Sequence, residues 1–133
     1  MRKFQIEIVT PDGLEFSGEI ESLLVRTIDG DVEILAGHAD YLSALSVGRA
    51  RILADGKERF ASIAGGFISV TREGVKMAAT TFEFAENIDL ERAVSAKGRA
   101  EDMLSKAKND SDLRIAKAKL ARASIRIDVA GYK

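Results

Sequence analysis

The chain opens on a period of two. In KFQIEIV, Phe4, Ile6 and Ile8 share one face and Gln5 and Glu7 the other, which predicts a half-buried strand. Thr10-Pro11-Asp12-Gly13 has turn chemistry. EIESLLVRTI, residues 19–28, predicts another strand, followed by Asp29-Gly30-Asp31. Residues 50–80 predict several short strands, with hairpin turns at Asp55-Gly56 and Glu73-Gly74. Gly65-Gly66 lies between two strand runs, where a bulge or a close backbone approach calls for glycine. Short strands with turns at this spacing predict a β-sandwich or barrel of roughly 80–85 residues.

After Phe84 the period changes. Ala93, Ala96, Ala100, Met103 and Ala107 recur at helical spacing, and Leu113, Ala116, Leu120, Ala123 and Ile127 repeat it. The polar break KNDSD, 108–112, supplies capping residues between two amphipathic helices. A connection this short makes the helices antiparallel neighbours. The expected fold class is therefore α+β, mainly β. Residues 1–84 form the sheet domain and residues 85–133 a two-helix hairpin.

The predicted seam of the hairpin is mostly alanine. Alanine lets helices approach near the short end of the usual ~8–10 Å spacing, but it buries little. At about 0.8 kcal/mol per buried CH₂, it contributes far less than leucine. Such a hairpin should be marginal by itself, which suits an element that docks, opens and docks elsewhere.

Charge sharpens the division. The 133 residues carry a net charge of −1, but residues 1–84 hold 9 Lys+Arg against 13 Asp+Glu, or −4. Residues 85–133 hold 11 against 8, or +3, so the helical part is the basic one. A hydrophobic content of 46% suffices for a core and argues against disorder. With no cysteine there is no disulfide, thiolate metal site or cysteine nucleophile. No apolar run approaches the roughly 20 residues of a membrane span. The N-terminus goes straight into strand-like alternation, so neither a signal nor a transit segment is expected.

Two blocks carry a resemblance: GDVEILAGHADYLSALSVGRARI, 30–52, and IAGGFISVTREGVKMAAT, 63–80. With Gly37-His38-Ala39, Leu42 and Leu45, Gly65-Gly66-Phe67 and the alanine-rich hairpin in this order, nearly the whole chain resembles the epsilon-chain family of F-type ATP synthases. That family commonly has proline before the Gly-His and after the Ala, where this chain has Ala36 and Asp40. The resemblance implies an N-terminal β-sandwich bound to the gamma chain and the c-ring. It also implies a helical hairpin that folds against the sandwich or extends into the alpha/beta catalytic head and inhibits ATP hydrolysis. The implied role is a non-catalytic rotor subunit in ATP synthesis and hydrogen-ion transport, peripheral to the cytoplasmic face of a bacterial plasma membrane. The chloroplast thylakoid, stromal side, is the alternative location.

Asp89 reads as a helix N-cap, with Ile88 placed to staple onto Ala93. Ile88-Asp89-x-x-Arg92-Ala93 is also similar to an ATP-binding motif of bacterial epsilon chains. By that resemblance the ATP-binding candidates are Glu83, Asp89, Arg92, Arg99, Arg122 and Arg126. Arg122 and Arg126 are four apart on one helix face, and Arg92 and Arg99 seven apart on the other helix. Guanidinium forks suit phosphate oxygens, and carboxylates accept from ribose hydroxyls or an adenine amino group. ATP, alone or with Mg²⁺, would be a regulatory ligand, not a required cofactor. No Walker-type phosphate loop is present for hydrolysis. A free-standing ATP-sensing module without a stable complex is the alternative reading.

The other candidates are weaker. His38 is the lone histidine, so it makes no histidine-based metal site or triad. The resemblance puts His38 and Asp31 on the face turned to the c-ring or gamma. Asp29, Asp31 and Glu33 start like a calcium loop, but Ile34 stands where glycine is needed and Asp40 where glutamate is, which excludes it. The basic stripe Arg114, Lys117, Arg122, Arg126 lacks interleaved aromatics, which argues against nucleic acid. The alanine face lacks Trp and Phe, which argues against direct membrane insertion.

Overall fold

The computed structural model describes residues 2–133 and divides into two compact units, one ending at Phe84 and the other running Ala85–Lys133.

The first unit is a sandwich of ten strands: β1 (Phe4–Thr10), β2 (Gly13–Ile20), β3 (Ser22–Thr27), β4 (Gly30–Leu35), β5 (Tyr41–Ala44), β6 (Val47–Ala54), β7 (Lys57–Ala64), β8 (Gly66–Thr71), β9 (Gly74–Ala79) and β10 (Phe82–Phe84). One sheet has the order β2-β1-β9-β8-β5 and the other β10-β7-β6-β3-β4. Neighbours are antiparallel except β1 and β9, which run parallel. That pairing sets Ile6 beside Val75 and Ile8 beside Met77, so strands far apart in sequence share one buried face. Ile6, Ile8, Ile20, Leu23 and Ile68 are fully buried at the centre of the core. Each such side chain contributes about 1.5–3 kcal/mol relative to exposure.

The two glycines after β7 meet the expectation of a close approach. Gly65 and Gly66 have φ of 85° and 115°. A Cβ on Gly66 would collide with the Ala78 carbonyl oxygen across the β8–β9 pair, so no other residue fits there. The last strand is pinned by aromatic edges. Phe84 lies 4.9 Å from Phe82 and 5.9 Å from Phe16, both in edge-to-face geometry, with the Arg59 guanidinium 3.6 Å from its ring centroid.

The second unit is a 3₁₀ turn (Ala85–Asn87) followed by α1 (Leu90–Ser105) and α2 (Asp110–Ala130), which pack against each other. Asp89 caps α1, its Oδ1 accepting from the Arg92 amide at 3.2 Å. Asn109 caps α2, accepting from the Asp112 amide at 2.8 Å. Among the seam positions, Ala93, Ala100, Ala116 and Ala123 are buried, seven apart on each helix. Met103 was expected on that seam but is 37% exposed, because a seam narrow enough for alanine has no room for it. Neither helix is long and apolar enough to cross a membrane.

Candidate functional site

The hairpin unit gathers most of the nucleotide-binding candidates. The four residues 106–109 join α1 to α2, so counting back from that loop sets Ala100 level with Ala116 and Ala93 level with Ala123. On the same count Arg92 lies within two residues of the level of Arg122, and Asp89 within one of Arg126, all at the end of the hairpin away from the loop. Arg99 lies two turns nearer the loop, level with Lys117. Arg92, Arg99 and Arg122 are exposed and make no ion pair among the described residues. Arg126 is half-buried and already engaged. Asp89 is exposed, with one carboxylate oxygen used by the cap. The arrangement is a strip of guanidinium groups beside a dry alanine seam, with one carboxylate at its end. It can hold an anion by charge-assisted hydrogen bonds, and it offers no nucleophile–base pair.

Glu83 belongs to the other unit. It sits at the centre of β10 in the sandwich unit, opposite Ser62, half-buried and engaged.

The two interface candidates lie on the sandwich. Asp31, on β4, accepts a two-pronged hydrogen bond from Arg26 on β3, Nε at 2.9 Å and Nη2 at 3.2 Å. That fork holds the Asp31 carboxyl below the usual carboxylate range and raises Arg26. His38 follows β4 in the loop to β5 and is half-buried, with Nδ1 2.7 Å from the Ala39 carbonyl. Its ring meets Tyr41 edge-to-face at 6.1 Å. The Tyr41 hydroxyl in turn donates to Asp29 Oδ2 at 3.1 Å and lies 3.1 Å from Thr27 Oγ1. Tyr41 thus ties the His38 loop to the β3–β4 turn that precedes Asp31.

Sequence reasoning missed the apolar patch at this corner. The Ile28 amide donates to the Ala44 carbonyl, Ala44 pairs with Phe67, and Leu42 shares its strand face with Ala44. Ile28, Leu42 and Phe67 are 68%, 75% and 62% exposed. Their hydrophobicity reads as core in the sequence; only their period relative to the buried Ser43 and Ile68 could have turned them outward. Among the described residues no group of three or more His, Asp or Glu could hold a metal ion.

Comparison with known proteins fits both units. Residues 3–85 match the family model of the ATP synthase delta/epsilon chain β-sandwich domain, and residues 86–131 that of its long α-helix domain. The ATP synthase epsilon chain of Bacillus velezensis is 44% identical over 131 residues, covering 98% of this chain and 99% of the relative. That of Bacillus subtilis is 40% identical over 131 residues, with 98% and 99% covered. Among solved structures, a chain of the Euglena gracilis mitochondrial ATP synthase superposes with a TM-score of 0.81 at 21% identity, covering 98% of this chain and 82% of that one, a likeness of fold. The sandwich, the capped two-helix unit and these matches along the whole length together place the chain in the ATP synthase delta/epsilon-chain family, with the non-catalytic epsilon chains of bacteria.

Proposed function

We propose that the chain works in the central stalk of a rotary ATP synthase at the cytoplasmic face of the bacterial plasma membrane. The sandwich unit binds the gamma chain and the top of the c-ring. The hairpin unit is the moving part: closed, it permits ATP hydrolysis; open, it reaches the alpha/beta head and stops it. ATP, alone or with Mg²⁺, is the ligand that holds the hairpin closed.

The buried seam Ala93, Ala100, Ala116, Ala123 carries this reading. Four alanines bury so little that the closed state lies within reach of a modest ligand contribution. A ligand that binds only the closed hairpin stabilises it by RT ln(1 + [L]/Kd), about 2.7 kcal/mol at a hundredfold excess. That shifts a two-state equilibrium about a hundredfold. The unpaired Arg92, Arg99 and Arg122 beside the seam support a phosphate-bearing ligand, and the exposed Ile28, Leu42 and Phe67 support a protein partner on the sandwich.

Truncation after Phe84 tests the inhibitory role. The shortened chain should still bind gamma while hydrolysis by the assembled enzyme rises; an unchanged rate contradicts the proposal. Calorimetric titration with ATP tests the site. Arg92→Ala and Arg126→Ala should each lose most of the binding heat, and equal heats with the wild type would remove the arginine assignment.

A further inference from the structure

The seam is held at one end by the covalent loop 106–109. At the other end the structure shows a second closure. Ile88 is 2% exposed and stands just before the N-cap of α1. The first carbonyl of the helical ladder is that of Asp89, which accepts from the Ala93 amide at 3.0 Å. The Ile88 carbonyl therefore lies outside the ladder and needs another donor. Lys133 supplies it, with Nζ 2.8 Å from the Ile88 oxygen in a part-buried contact.

The backbone after α2 makes this reach possible. Gly131 ends the helix at φ −68°, a right-handed cap rather than the usual left-handed reversal. Its amide donates to Asp128 at 3.2 Å, and the Tyr132 amide donates to Val129 at 2.9 Å. The chain so continues turning in the helical sense and brings Lys133 round to the start of α1. Val129 and Ala130, in the last turn of α2, are buried. Between loop and lysine the alanine seam is clamped at both ends, and α2 cannot peel away from the start of α1 without breaking a charge-assisted hydrogen bond to a carbonyl that has little access to water.

We propose that Lys133 is a latch: its ammonium, bonded to the Ile88 carbonyl, sets how readily the helical hairpin opens. The latch sits one residue before Asp89, so a ligand bound at the arginine strip and the latch close the same end of the hairpin. Its regulatory meaning rests on the reading of the hairpin as the inhibitory element; its effect on opening does not.

Hydrogen exchange on the full-length chain tests it, comparing wild type with Lys133→Met, which keeps the stem and removes the donor, and Lys133→Arg, which keeps a donor. The latch predicts that amides in the last two turns of α2 and the first turn of α1 exchange about five- to tenfold faster in Lys133→Met. Lys133→Arg should restore most of the protection, and the strands of the sandwich should be unchanged in all three. Equal exchange in wild type and Lys133→Met overturns the proposal. A faster exchange in Lys133→Met with unaltered ATP hydrolysis in the assembled enzyme would uphold the latch and count against the inhibitory role of the hairpin.

Discussion

The sandwich and the hairpin are built from side chains of opposite kind. The sandwich fills its interior with isoleucine, leucine, valine and methionine drawn from both sheets, and its parallel β1–β9 pair joins the start of the unit to its ninth strand. Along the helix–helix seam the hairpin buries four alanines, with Ile88, Val129 and Ala130 buried only at the end away from the loop. Alanine is the best helix former, so each helix is cheap to form as a helix while the pair coheres weakly. On the proposed function, this division keeps one part fixed and leaves the other to choose between states, and the weakness of the seam is what lets a ligand set the state of the hairpin.

That contrast can be broken or sharpened by substitution, and the largest effect should come from the sandwich. Ile68→Ala removes a fully buried side chain and should cost about 2–5 kcal/mol, read as a lower midpoint in urea for the sandwich. Ala100→Leu forces a larger side chain into the closed seam; about 1–3 kcal/mol should be lost, and exchange should quicken in α1 and α2 but not in the strands. Asp89→Ala removes the cap on the Arg92 amide and should cost about 1 kcal/mol, confined to the hairpin. Gly98→Ala should act with the opposite sign. Gly98 lies inside α1 with open space around its missing Cβ, so alanine there should stabilise the helix by roughly 0.5–1 kcal/mol. The smallest effect belongs to the Arg26–Asp31 pair. Because Asp31 is held below its ordinary value in the folded state, the pair's contribution is present above the usual carboxylate pKa and lost as pH falls through the lower folded one. Both groups are exposed, so an acid titration of wild type against Arg26→Gln should show only a slight, salt-sensitive difference below about pH 4.

How much of this was legible in the sequence depended on which side chains were buried. β1 alternates cleanly because Ile6 and Ile8 face the core while Gln5 and Glu7 face water. β2 was passed over although Leu14, Phe16 and Ile20 alternate with Glu15, Ser17 and Glu19, because it is an edge strand whose apolar face is broken by Gly18 and buried fully only at Ile20. The β1–β9 pairing could not be read at all, since local periodicity says nothing about which distant strand is adjacent. Gly65-Gly66 was legible because the steric demand at Gly66 leaves only one residue type. In the hairpin the cap at Asp89 and the alanine stripe were plain, but the inward share of that stripe was narrower than its spacing implied, as Met103 shows. The arginines were selected by resemblance; as helix positions they look like any solvated charge. The Ile88–Lys133 contact left no signal, because a turn that continues past a helix end has no residue pattern of its own.

The central claim is that the two units differ in cohesion enough to open separately. Scanning calorimetry of the full-length chain measures this directly. The account predicts two heat-absorption steps, a small one at lower temperature that Ala100→Leu moves down and Gly98→Ala moves up, and a larger one that neither shifts. A single transition whose calorimetric and van't Hoff enthalpies agree, moved as a whole by both substitutions, would contradict it.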